Sequence, residues 1–139
     1  GRIVGEVCHF VDFLRFLAGS SITSTNKITM QHGALDTLTA QLEFECGSIG
    51  TIHYFANGHK SMPKERLEVY VTGRILQLNN FRELHGYGWP NFRRMKLWRQ
   101  DKGQDQCVAA FVNSMRGGPS PIPIAELLET SKATLELAR

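Results

Sequence analysis

The chain begins with hydrophobic residues at helical spacing. Residues 3–18 place apolar side chains three or four positions apart, which predicts one face of an α-helix. Gly19 follows directly and is a suitable left-handed residue to end this helix. The side chains predicted to pack inward are Ile3, Val7, Phe10, Val11, Leu14 and Leu17.

The opposite face of the predicted helix is polar but not purely so. Glu6, His9 and Asp12 are spaced three apart and share this face. Phe13 and Phe16 flank His9, and phenylalanine is unusual on a surface turned only to water. We therefore expect a second partner to cover this face.

Between residues 20 and 100 the hydrophobic period falls from 3.6 to 2, which is typical of strands. The alternation is clearest over residues 37–46, and residues 47–48 predict a hairpin turn into a strand over 49–56. Residues 83–92 contain two glycines and a proline and predict an aromatic loop. The remaining strands are predicted over 22–31, 66–72, 75–81 and 94–99.

Two helices are predicted at the end of the chain, over residues 104–115 and 124–138. The inner stripe predicted for the second consists of Leu127, Leu128, Ser131, Leu135 and Ala138. A helix, a run of strands and then helices is the α+β pattern. We expect a mainly antiparallel open sheet of about six strands, with helices on one face.

Composition fits one globular domain over residues 1–139, since 42% of the residues are hydrophobic. No apolar run approaches the roughly 20 residues that span a bilayer, so we expect no membrane partner. Three cysteines without paired spacing favour a reducing, cytoplasmic setting, and we interpret Cys8, Cys46 and Cys107 as core or structural residues.

A net charge of +3 is modest for a nucleic-acid binder, and we expect no nucleic-acid partner. Residues 59–102 do contain ten Lys and Arg residues against four Asp and Glu residues, with aromatic residues between them. Nucleic-acid binding through this region would weaken steeply with salt. The alternative is a solvated strand face, which we prefer for most of these residues.

Candidate chemistry centres on Glu6, His9 and Asp12. A histidine beside carboxylates suits proton transfer, although an ordinary polar helix face gives the same spacing. Five scattered histidines show no metal-binding spacing, and we expect no metal. No Gly-x-Gly-x-x-Gly or P-loop is present, so we assign no cofactor-binding residue.

A second candidate group lies where a predicted strand ends. His59 and Lys60 follow Asn57 and Gly58 in a loop, and binding groups tend to sit on such loops. We expect His59 and Lys60 to contact a substrate.

A family resemblance rests on these motifs and their order. His9, Asp12 and Gly19 form a His-x-x-Asp pattern that resembles the helix opening the C-terminal domain of the glucose-fructose oxidoreductase, inositol dehydrogenase and MocA family. Residues 46–52 and 66–78 resemble two hairpins of that domain, and the closing helices match as well. Through residues 5–10, Gly-Glu-x-Cys-His-Phe, and residues 86–90, Gly-Tyr-Gly-Trp-Pro, the chain most resembles large bacterial oxidoreductases associated with polysaccharide biosynthesis.

The resemblance implies a C-terminal substrate-binding and oligomerisation domain that forms a homodimer through its open sheet face. NAD or NADP would bind to an N-terminal Rossmann domain absent from this chain, and the chain alone would be inactive. His9 would transfer a proton at a sugar or sugar-nucleotide substrate, Glu6 would orient His9 or touch the substrate, and Asp12 would fix the helix by hydrogen bonding. Family members with inositol-type chemistry often carry Asp four residues before the histidine, where this chain has Gly5.

A second hypothesis belongs to another class. The chain could retain this fold as a non-catalytic interaction or ligand-sensing module, in which case substitutions around His9 would remove no chemistry.

Overall fold

The computed structural model describes residues 1–31 and 37–139, so His32, one of the five histidines, lies outside the described residues. The chain forms two compact units. The first combines Gly1–Gly58 with Ile122–Arg139, and the second consists of His59–Pro121.

The first unit is a three-stranded antiparallel sheet with helices on one face. A π-helical turn over Ile3–Val7 leads directly into α1 (Cys8–Ala18), and Gly19 ends α1 in the left-handed conformation as predicted, with φ of 59°. The sheet has the order β1-β2-β3. Its strands are β1 (Ile22–Thr29), β2 (Thr37–Phe44) and β3 (Ile49–Phe55).

The core of the first unit lies between this sheet and its helices. Alternate residues of β2 face inward, as the period of 2 predicted. α1 contributes Val11, and the turn before it contributes Val7, to the same cluster as these β2 residues. The buried apolar residues are Val7, Val11, Leu38, Ala40, Leu42, Phe44, Ile52, Ala133 and Leu137.

The second unit is a four-stranded antiparallel sheet followed by a helix. The strand order is β4-β5-β6-β7. The elements are β4 (Arg66–Val71), β5 (Arg74–Asn79), β6 (Glu83–Tyr87), β7 (Arg94–Lys96) and α2 (Gln104–Met115). The last helix, α3 (Ile124–Ala138), belongs to the first unit.

The predicted α+β class with antiparallel strands is confirmed, and the described residues form seven strands in two sheets. The predicted loop over 83–92 was wrong in its first half, which forms β6. Gly86 is needed there for packing and not for a turn, because a Cβ at this position would lie 2.6 Å from Phe92 Cδ1. Gly88, with φ of 74°, follows the end of the strand.

The predicted inner stripe of α3 was also wrong. The helix buries Thr130, Ala133, Thr134 and Leu137, and it leaves Leu128 and Leu135 exposed. Small side chains allow the helix to approach its neighbours closely. Each buried threonine hydroxyl donates to a carbonyl of its own helix, so burial leaves neither hydroxyl without a partner.

All three cysteines are free. Two of them were expected to be core or structural residues but are exposed. Cys46 follows β2 in an exposed turn, and Cys107 is exposed on α2. Hydrogen bonding to Ser48, 3.3 Å from the sulfur, lowers the pKa of the Cys46 thiol. Among the described residues, no helix is both long and apolar enough to cross a membrane.

Candidate functional site

Glu6 is held by a tyrosine that the sequence did not single out. Tyr54 lies on the helix-facing side of β3, half-buried against the core. Its hydroxyl donates a hydrogen bond of 3.1 Å to Oε2 of Glu6. The available signal was the alternation of β3, which places Tyr54 on the same face as Ile52.

Glu6 lies in the π-helical turn that precedes α1. The amide of Cys8 donates to the carbonyl of Ile3, five residues back, where an α-helix would bond four residues back. Such a turn contains one extra residue and occurs frequently at functional sites. It therefore sets the orientation of Glu6 separately from that of the residues of α1.

His9 is exposed on the first turn of α1. Within residues 1–31 and 37–139, its ring takes part in no hydrogen bond or ion pair. Phe16 lies on the same side of the helix and is 74% exposed. The ring nitrogens of His9 are therefore available to a ligand, beside an aromatic side chain that this chain leaves uncovered.

Asp12 makes no helix-fixing contact within the described residues. Its side chain is half-buried on α1, and no hydrogen bond or ion pair joins it to another described residue. The expected hydrogen bond that would fix the helix is therefore not found in this part of the chain.

Other contacts fix the position of α1. Arg15 pairs with Glu129 of α3 at 3.0 Å. On the sheet side, a Cβ at Gly50 would lie 2.9 Å from Leu14 Cδ1, so the absence of a side chain allows α1 to approach β3 closely. The helix that carries His9 is thereby held between the sheet and α3.

His59 and Lys60 are the first two residues of the second unit and are both exposed. The amide of Ser61 donates to Nδ1 of His59 at 3.2 Å. The Ser61 hydroxyl lies 2.9 Å from the same nitrogen, so Ser61 contacts this side of the ring through both its amide and its hydroxyl. Among the described residues, Lys60 has no hydrogen-bond or ion-pair partner.

The predicted site residues are therefore found in two groups. Glu6 and His9 are separated by one turn of helix in the first unit, and His59 and Lys60 share a loop in the second.

The outer face of the β1–β3 sheet, opposite to α1, is open and partly apolar. Ile28, Ile49 and Phe55 are all more than half exposed on it. His53 lies between Ile49 and Phe55 on β3, and its ring shares a 3.0 Å hydrogen bond with the hydroxyl of Thr39 on β2.

Four of the ten Lys and Arg residues between positions 59 and 102 pair with acidic side chains of the second unit. Arg94 and Lys96 both pair with Glu83, at 3.1 and 2.7 Å. Lys102 pairs with Glu65 at 2.5 Å, and Arg66 pairs with Glu68. These ion pairs favour the interpretation of a solvated strand face.

The described part of the chain lacks two types of ligand site. No group of three or more His, Cys, Asp and Glu side chains is placed there to hold a metal ion. Every strand pair described is antiparallel, so these residues do not form the parallel β-α-β unit that binds a dinucleotide.

Comparison with solved structures places this fold among dehydrogenases. UDP-N-acetylglucosamine 3-dehydrogenase GnnA from Acidithiobacillus ferrooxidans superposes with a TM-score of 0.73 at 16% identity, over 94% of this chain and 43% of its own. The dehydrogenase MviM from Clostridium difficile superposes with a TM-score of 0.71 at 16% identity, over 96% of this chain and 46% of its own. The WlbA dehydrogenase from Bordetella pertussis was solved in complex with NADH and UDP-GlcNAcA. It superposes with a TM-score of 0.55 at 23% identity, over 96% of this chain and 41% of its own.

These structures are dehydrogenases of the glucose-fructose oxidoreductase, inositol dehydrogenase and MocA type, and the fold expected from the resemblance is confirmed. The chain spans less than half the length of each of them. No protein-family profile matches the chain, and no curated protein matches it in sequence. At these identities the likeness shows the fold alone, and the chain has the fold of one part of such a dehydrogenase.

Proposed function

We propose that the chain is the substrate-binding and dimerisation domain of an NAD(P)-dependent oxidoreductase that acts on a sugar or sugar nucleotide. The observation that carries this proposal is the exposed ring of His9, which has no partner among the described residues and follows Glu6 by one turn on the first helix of a dehydrogenase fold. Two of the similar proteins are named for, or bound to, UDP-sugars, which favours that substrate class.

In this proposal His9 performs acid-base chemistry. When a substrate hydroxyl is oxidised to a carbonyl, a ring nitrogen of neutral His9 accepts the hydroxyl proton. In the reverse direction the protonated ring returns that proton to the carbonyl oxygen. Glu6 accepts a hydrogen bond from the ring or from the substrate and so sets the orientation of the reacting groups.

The nicotinamide, when bound, supplies the acceptor or donor of hydride. The antiparallel sheets described above do not fit a dinucleotide, so we assign its binding to an N-terminal Rossmann domain outside this chain. The domain formed by residues 1–139 would contribute proton transfer and substrate contacts.

His59 and Lys60 are proposed as substrate contacts. The His59 ring is exposed with Nε2 turned to no described residue, and the Lys60 ammonium, which has no partner among the described residues, suits the phosphate groups of a sugar nucleotide. Substituting either residue by alanine should raise KM for a sugar nucleotide more than it lowers kcat.

The open face of the β1–β3 sheet is proposed as the homodimer surface, because it combines exposed Ile28, Ile49 and Phe55. Ile49→Lys should convert the intact protein to monomers in sedimentation velocity. Met62→Lys, at a similarly exposed apolar position in a loop of the second unit, is the control and should leave the dimer intact. We place the protein in the cytoplasm, since its three cysteines are free.

The decisive experiment uses the intact protein, purified and examined for bound nicotinamide. Absorbance of the reduced ring is followed while a panel of sugars and sugar nucleotides is added. A redox change would establish the oxidoreductase and identify its substrate class. No cofactor or no change with any compound would support the alternative, a non-catalytic interaction or ligand-sensing module in which His9 is structural.

A further inference from the structure

The contact between Tyr54 and Glu6 joins the core to an exposed carboxylate. The Tyr54 ring packs against the buried cluster, while its hydroxyl reaches the carboxylate of Glu6. A tyrosine side chain has only two torsions, and packing of the ring leaves its hydroxyl little freedom. The hydroxyl is thus a fixed donor at the edge of the core.

The Glu6 carboxylate has one oxygen bound and one available. Oε2 accepts the Tyr54 hydroxyl, and no other described residue bonds to the Glu6 side chain. Because a carboxylate is planar, fixing Oε2 also restricts where Oε1 can lie. An exposed glutamate without such a contact would sample several rotamers, and ordering it would cost free energy on substrate binding.

We propose that Tyr54 is a positioning residue, which holds Glu6 so that its free oxygen is presented to the His9 ring or to a substrate hydroxyl. This inference rests on the proposed function of His9 and Glu6. The π-helical turn complements this arrangement, because its extra residue sets the direction of Glu6 separately from the α1 register that carries His9.

The test is Tyr54→Phe in the intact protein, which removes the hydroxyl and keeps the packed ring. Hydrogen bonds to charged groups contribute enough for kcat to fall by about tenfold, with a smaller change in KM. Tyr70→Phe is a matched control, because Tyr70 also donates to a glutamate, Glu68, at 3.0 Å in the second unit. This control should keep kcat within about twofold of the original protein.

A double variant separates positioning from a merely structural role. If Tyr54 acts through Glu6, then Tyr54→Phe should have no further effect on kcat in a Glu6→Gln background. An equal further loss in that background would overturn the proposal. The proposal would also be overturned if Tyr54→Phe left kcat unchanged while Glu6→Gln lowered it. In that case the proposed function of Glu6 and His9 would still stand.

The two proposals can also fail separately. If Glu6→Gln and His9→Ala both retain full turnover, the proposed function of this site fails. Crystal structures of Tyr54→Phe and the original protein then still test the contact itself. Glu6 should occupy one conformation in the original protein and several in the variant, and a single unchanged conformation in both would overturn the inference.

Discussion

The guanidinium of Arg15 on α1 donates from Nε to Oε1 of Glu129 on α3, 3.0 Å away. The same oxygen accepts the amide of Ile22, where β1 begins. One carboxylate therefore joins the helix that carries His9, the last helix and the first strand. Only 11% of the Arg15 side chain is exposed, and Glu126, with Oε1 3.8 Å from an Arg15 nitrogen, is a second and more distant carboxylate partner.

We expect Glu129→Ala to lower the free energy of unfolding by about 2 kcal/mol, because it leaves the largely buried Arg15 with the longer contact to Glu126 and removes the acceptor of the Ile22 amide. Chemical denaturation measures this loss. Lys132→Ala is the control, since its exposed pair with Glu136 spans 3.9 Å and should contribute less than about 0.5 kcal/mol. Equal effects of the two changes would show that Arg15 does not depend on Glu129.

Gly50 is expected to tolerate no side chain without loss of stability. In Gly50→Ala the new methyl group would press on Leu14, and Phe44 at 3.3 Å limits the room on its other side. Overpacking of this kind should cost about 2 kcal/mol in unfolding free energy. Gly5→Ala, where a Cβ meets nothing within 4 Å, should be neutral or slightly stabilising in the same measurement.

The stability of the second unit should depend on Glu83 at low pH. Hydrogen bonding to Lys96, at 2.7 Å, and to Arg94 lowers the pKa of Glu83 from 4.5 to about 2. A carboxyl whose pKa is lower in the folded state stabilises fully above its unfolded value. This stabilisation is lost as the pH falls from about 4.5 through about 2.

Tryptophan fluorescence can follow this loss, because both tryptophans, Trp89 and Trp98, belong to the second unit. Glu83→Gln should flatten the decline in unfolding midpoint between pH 4.5 and 2. Glu43→Gln, at an exposed position of β2, should leave the decline unchanged. A decline that persists in Glu83→Gln would assign the acid sensitivity to other carboxylates.

His9→Ala in the intact protein should lower kcat by about 10²- to 10⁴-fold, the range typical of a lost general acid-base group. The dissociation constant of the nicotinamide cofactor should stay the same, because His9 acts on the substrate in our proposal. Stopped-flow kinetics and cofactor titration measure the two quantities. His85→Ala, a histidine change in the second unit, should affect neither, and a normal kcat in His9→Ala would refute the role of His9.

Sequence periodicity predicted which segments form helices and strands better than it predicted which face each helix buries. The bounds of α2 and α3 agree with those predicted, because proline and glycine mark them locally. The buried face of α3 depends on its neighbours. Leucines at helical spacing suggested one face, but Thr130, Ala133 and Thr134 pack inward because they are small.

The sequence predicted those residues of the candidate site that lie on one helical segment, but not the residue contributed by a strand. Glu6 and His9 lie three positions apart on one continuous helical segment, so their closeness along the chain followed from the sequence. Tyr54 lies 48 positions after Glu6, and no local pattern connects the two residues. The π-helical turn was equally beyond prediction, since the sequence of Ile3–Val7 fits an α-helix as well.

A π-helical turn also gives this protein a place where its length can change by one residue. Removing a residue within Ile3–Val7 would restore regular α-helical bonding and leave the register of α1 unaltered from Cys8 onward. The residues ahead of the deletion would turn relative to the sheet, while His9 would keep its position. The position of His9 and the direction of the chain before it could thus change separately among related chains, through single-residue insertions and deletions ahead of an unchanged helix.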